Sequence, residues 1–226
     1  MEKKFELTDN FVINAFGIKL FQIKCTKSFK YANEGDLGGY VKKEDNLSQY
    51  GDAWVSGDAQ VYGNARVYGD ARVSGDAWVS GDARVSGDAR VSGDAWVSGD
   101  AWVSGNARVY GNAQVYGDAR VSGDARVSGD AQVSGNARVS GNAQVYGDAR
   151  VENNHMHCGF DCFGSCNRHT HAYKTKGNKV EITCGCFRGS LEEFEKKVEE
   201  THKGTIYEKQ YKAIINLIKI KFGIDG

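Results

Sequence analysis

The stretch GDARVSGDARVSGDAWVSGDAWVS, Gly81 to Ser104, is four copies of one six-residue unit in which the fourth letter changes and little else does. The same unit, G-[DN]-A-x-V-[SY], begins at Gly51. Its glycine returns every sixth residue up to Gly147, giving seventeen units; the last one closes on Glu152. Within a unit, Ala-x-Val alternates apolar, variable, apolar, which is the period of a strand with Ala and Val on one face and x on the other. Gly-Asp or Gly-Asn follows at once and supplies turn chemistry. Each unit therefore reads as one short strand and one corner. So short a strand buries no core alone, whereas stacked coils do, because each coil pairs with the coils above and below.

This repeat resembles the hexapeptide repeat of left-handed parallel β-helices, with three units per coil. The left hand is what the resemblance implies; the ordinary crossover rule favours the other. Residues one coil apart should then stack in three columns: Trp54, Arg72, Arg90, Arg108, Arg126 and Gln144; Gln60, Trp78, Trp96, Gln114, Gln132 and Arg150; Arg66, Arg84, Trp102, Arg120 and Arg138. At about 4.8 Å per coil the prism would be on the order of 27 Å long.

Two columns are arginine ladders, but the repeats hold nine Arg against twelve Asp and Glu152, so their net charge is −4. A mutually neutralised surface is the plain reading and a phosphate- or nucleotide-binding face the sharper one. Trp78 and Trp96 should stack on one face, with Trp102 a corner away. Exposed Trp favours contact with something, and these three are the candidate partner-binding residues. The alternative is that the rings merely cover each other.

The chain of 226 residues is balanced, with 29 Lys+Arg and 29 Asp+Glu. That balance disfavours a dedicated nucleic-acid binder. Neither a signal peptide nor a membrane span is expected. The expected location is the cytoplasm of a bacterial host cell, without membrane partners.

Residues 1–50 read as short strands at Phe5–Leu7, Phe11–Ala15 and Ile18–Cys25. The stretch EGDLGGYVKKEDNLSQYGDAWV, Glu34 to Val55, resembles the leader of hexapeptide-repeat proteins common in phages and prophages: G-D-L-G-G-aromatic-V/I, then E-x-N-L-S, before the first repeat. Physically it should form a β cap on the first coil, because an open coil end is an exposed strand edge. Leu37, Tyr40, Val41 and Leu47 are the expected plug, and Cys25 a small buried apolar residue.

After the repeats (residues 51–152) the composition changes. Residues 153–226 open with NNHMHCGFDCFGSCNRHTHAY, which carries His155, His157, His169, His171, Cys158, Cys162 and Cys166; Cys184 and Cys186 follow in CGCF. These ligand types fit a structural zinc, although the spacing is not that of a standard finger. A loop of partly buried thiols with a solvated His cluster fits as well. An enzymatic zinc site would look to Asp161 as its base. Ala172 to Phe187 reads as a hairpin turning at Lys176–Asn178. Ser190 and Glu193 form a capping box opening a helix with Leu191, Phe194 and Val198 on its apolar side. A second helix, about Tyr207 to Lys221, presents Tyr211, Ile214, Ile215 and Ile218.

This ββαα segment resembles a module recurring in phage proteins, V-x-C-G-C-F-x-G-[ST]-L-x-E-F followed by E-T-H. Cys166 stands where that module has arginine, and His169 and His171 lie in its usually Thr-rich stretch. The fold expected is mainly β: a left-handed parallel β-helix with an N-terminal β cap and a C-terminal ββαα module.

The function expected is that of a non-enzymatic phage or prophage protein. The rigid prism would present a recognition module to a host protein, and inhibition of a bacterial host defence system is its concrete form, from family context alone. One alternative is a hexapeptide-type acyltransferase. The units contain no His, Cys or Lys, so its catalytic His would have to come from the segment after the last coil. The other is a small-molecule or nucleotide sequestering protein using the Arg ladders. A homo-oligomer is expected: a trimer by analogy with acyltransferases, or an isologous dimer through Trp78 and Trp96.

Overall fold

The computed structural model describes residues 2–224. The chain is mainly β, a parallel solenoid of about six turns with two C-terminal helices. Its order is β1 (Phe5–Ile13), β2 (Lys19–Cys25), β3 (Leu37–Val41), then seventeen two-residue strands β4–β20, one per unit, from Trp54–Val55 to Arg150–Val151. Four longer strands follow, β21 (His157–Phe163), β22 (Arg168–Lys174), β23 (Val180–Cys184) and β24 (Phe187–Ser190), and then α1 (Leu191–His202) and α2 (Ile206–Phe222).

The solenoid strands pair in parallel one coil apart: Arg90 opposite Arg72, Trp96 opposite Trp78, Trp102 opposite Arg84. The three columns read from the repeat are the three faces of the prism. Trp96 N donates to Ala113 O and Ser98 N to Val115 O of the next coil, both 2.9 Å, and the parallel register returns a bond from each Val N–H to the carbonyl of the variable residue one coil back. Ala and Val of the units fill a continuous core that water does not reach. The corners need glycine. Gly99 has φ +69°, and a Cβ there would lie 2.9 Å from the backbone nitrogen of Gly117 on the next coil, so a side chain would meet both the left-handed backbone and its neighbour.

β1, β2 and β3 continue one face of the prism. β1 and β2 are antiparallel, β2 and β3 antiparallel, and β3 lies parallel to the first strand of that face, Tyr40 opposite Gln60. β1 is a single nine-residue strand with a bulge between Leu7 and Phe11, where the sequence suggests two strands. Of the expected plug, Val41 and Leu47 are buried and Tyr40 is half-buried, but Leu37 is 55% exposed. Phe5, Ile23 and Cys25 fill the core there instead.

The C-terminal module has four antiparallel strands, not two. β21 forms from the Cys/His-rich stretch, and β24 precedes α1. The capping box is present, Ser190 Oγ accepting from Glu193 N and the Glu193 carboxylate accepting from Ser190 N. α2 ends at Gly223, φ 64°. Both helices pack on one side of the sheet, where Ile182, Phe194, Tyr211 and Ile218 are buried together.

Candidate functional site

A solenoid end is a row of unpaired backbone groups, and in this chain both ends are covered. At the first coil the outward carbonyls find donors. Tyr40 N donates to Ala59 O (2.9 Å), Lys42 N to Val61 O (3.0 Å) and Ser48 N to Val67 O (2.9 Å). Two side chains add donors where no strand reaches: Asn46 Nδ2 donates to Ala65 O (2.8 Å), and Lys4 Nζ to Ala53 O (2.8 Å) and Gly51 O (3.1 Å). Asn46 is held by its own acceptor, Oδ1, which takes Lys43 N at 3.0 Å. Lys4 sits over the Phe29 ring, and burial lowers its amine to about 8.

At the last coil the outward N–H groups find acceptors. Arg138 N donates to Asn154 Oδ1 (2.9 Å), Tyr146 N to the Tyr173 hydroxyl (3.3 Å) and Glu152 N to Met156 Sδ (3.4 Å). The Tyr173 hydroxyl itself donates to Glu181 (2.6 Å), which also accepts from Arg188. Burial, with the carboxylate beside it, holds the phenol well above its ordinary range. The outward carbonyl of Gln144 receives His171 Nδ1 (3.0 Å) and Thr183 Oγ1 (3.4 Å).

The His171 contact fixes its tautomer. Facing a carbonyl, Nδ1 must carry the hydrogen, so Nε2 of the neutral ring accepts, and the donor is His157 Nδ1 at 3.0 Å. His157 Nε2 and His169 Nε2 are buried without a hydrogen-bond partner, and the Arg138 backbone lies beside the His157 ring. His169 Nδ1 meets Asp161 at 2.7 Å. Burial lowers His171 to about 3. It also lowers His157 to about 4, helped by the Lys221 ammonium.

The pleat divides the Cys/His group. His157, His169 and His171 lie together on the side of the sheet that meets the solenoid. Cys158 and Cys184 turn to the helical side, Cys184 taking the Thr170 hydroxyl at 3.3 Å. Burial raises the Cys158 thiol to about 11. Cys162, Cys166, Cys186 and His155 are exposed. Of the predicted ligands, the three imidazoles lie together. Among the described residues no three His, Cys, Asp or Glu side chains gather around one point.

The predicted partner-binding tryptophans are on two faces. Trp78 and Trp96 stack edge to face at 6.3 Å, and the turn between β1 and β2 lays Phe16 against Trp78 at 5.8 Å. Trp96 and Trp102 each donate their indole N–H to a serine of the preceding coil, Ser80 and Ser86. Trp102 lies on the adjoining face under the Arg120 guanidinium. Sequence reasoning missed Lys4, Phe16, Asn46, Asn154 and Tyr173. All five act through contacts with residues distant in sequence. Asn46 alone had a signal, its place in the leader motif.

No described helix is long and apolar enough to cross a membrane. No curated protein matches the chain. A family model described as Bactofilin, polymer-forming cytoskeletal, matches residues 65–167, a stretch that runs from the third unit through the first strand of the C-terminal module.

Proposed function

We propose that this chain is a non-enzymatic, self-associating scaffold: a rigid solenoid closed at both ends that carries its C-terminal module at a fixed position for recognition. The observation that carries this reading is the closure. Many of the backbone groups that would template a further coil are already bonded, by Tyr40, Lys42, Asn46, Ser48 and Lys4 at one end and by Asn154, Met156, His171 and Tyr173 at the other. A free coil end would add another copy by simple strand pairing. Closed ends confine self-association to the sides. Self-association accords with the polymer-forming family whose model matches the solenoid. The left hand of the coil follows from the repeat's resemblance to hexapeptide β-helices. The phage-type leader and module motifs support a phage or prophage protein whose module meets a host component.

The imidazoles nearest the last coil serve its closure, since His171 spends one nitrogen on Gln144 and the other on His157. That use favours a structural role over acyl transfer.

The test is electron microscopy of the purified full chain over a concentration series. The expected result is discrete short particles. Filaments with a continuous coil axis would overturn the reading.

A further inference from the structure

The three faces of the solenoid differ in what they could lie against. One carries Arg72, Arg90, Arg108 and Arg126 in direct register. Another carries Arg66 and Arg84, then Arg120 and Arg138, on either side of Trp102. The third carries Gln60, Trp78, Trp96, Gln114 and Gln132, without a charge until Arg150.

Two copies of an arginine face would set guanidinium against guanidinium, which opposes association. Only the Gln/Trp face can meet its own image without that cost. It also presents aromatic surface. Trp96 is 37% exposed, and Phe16, seated on Trp78, is 58% exposed. Phe16 shows that the face accepts an aromatic ring edge-on, since the chain's own hairpin already places one there. Of the three solenoid faces, this is the one on which two copies can join without opposed arginine columns.

We propose that the Gln/Trp face is a homodimer interface, its occupant a second copy of this chain, centred on Trp96. The proposal rests on the closed-end reading above, because an open end would offer a competing route. Both corners flanking this face carry acidic residues, Asp58, Asp76 and Asp94 on one side and Asp82 and Asp100 on the other.

The test is the mass of the full chain by light scattering, for the native protein, Trp96→Arg and Trp102→Arg. A dimer is expected for the native chain. Trp96→Arg should weaken it by about tenfold or more, because it recreates an arginine face at the centre of the interface. Trp102→Arg makes the same change on the adjoining face and should leave the dimer intact. Unchanged melting of both variants, followed by tryptophan fluorescence and far-ultraviolet dichroism, separates loss of the interface from loss of the fold. A native monomer, a dimer indifferent to Trp96→Arg, or equal loss in Trp102→Arg would overturn the proposal. Filaments seen by microscopy would instead overturn the closed-end reading.

Discussion

The two ends of the solenoid pose opposite chemical problems, and the chain answers each with a different residue chemistry. In the parallel register each repeat strand gives two N–H groups and one C=O to the coil ahead, and one N–H and two C=O groups to the coil behind. The first coil thus faces backward with two carbonyls for each N–H, and the last faces forward with two N–H groups for each carbonyl. The N-terminal cap must chiefly donate, and it does so with strand amides, the Asn46 amide and the Lys4 amine. The C-terminal module must chiefly accept, and it does so with the Asn154 carbonyl oxygen, the Tyr173 hydroxyl and the Met156 sulfur. The lesson is that a parallel solenoid has a polarity at its ends that a symmetric patch of polar residues could not satisfy.

The sharpest way to break this comparison is one substitution made at both ends. Asn46→Asp keeps shape but turns the buried donor into a carboxylate facing Gly63 O and Ala65 O. It should cost about 3 kcal/mol or more. Asn154→Asp keeps the acceptor that Arg138 N needs and should change stability by less than about 0.5 kcal/mol. Chemical denaturation followed by tryptophan fluorescence measures both, because all four Trp lie in the solenoid. Equal costs at the two ends would remove the polarity argument.

Acid should separate the regions next. His157 and His171 are held neutral in the fold, at about 4 and about 3, against 6.5 in the unfolded chain. Between pH 6.5 and 4 the unfolded chain binds protons that the folded chain does not. Stability therefore falls as pH falls through that window, by a few kcal/mol at its lower end. The groups around them are His169, with its partner Asp161, and Lys221, which opposes any added positive charge. The helices belong to the module alone, so dichroism at the helical band should be lost at higher pH than tryptophan fluorescence changes. Simultaneous loss would mean that the two regions unfold as one.

The smallest perturbation is thiol labelling. A brief maleimide exposure of the native chain, read by mass, should modify Cys162, Cys166 and Cys186 readily. It should spare Cys25 and Cys184, and Cys158 should react slowly because its thiol is raised to about 11. Fast labelling of Cys184 would contradict the helical-side placement of that residue.

Much of the solenoid was legible in the sequence because its contacts are local copies of one rule. A six-residue period fixes the corner, three units fix the coil, and the register of Trp78 with Trp96 follows. The closures were not legible, because each is a single bond between distant residues: Lys4 to Ala53, Asn46 to Ala65, Tyr173 to Tyr146. Leu37 looked like a plug by hydropathy, yet its place on β3 turns it outward. The Cys/His stretch read as one group because its members are close in sequence. Strand alternation in β21 and β22 then sends His157 and Cys158 to opposite sides of the sheet. The fourfold strand count of the module was hidden for a related reason: β24 contains Gly189 and is only four residues long.

The most direct test of closed ends is hydrogen exchange at single-residue resolution. The amides of Arg138 and Tyr146 on the last coil should be protected to the same order as that of Arg108, which is bonded within the stack to Ala125. Free exchange at Arg138 and Tyr146, with Arg108 protected, would show an open end and contradict the account.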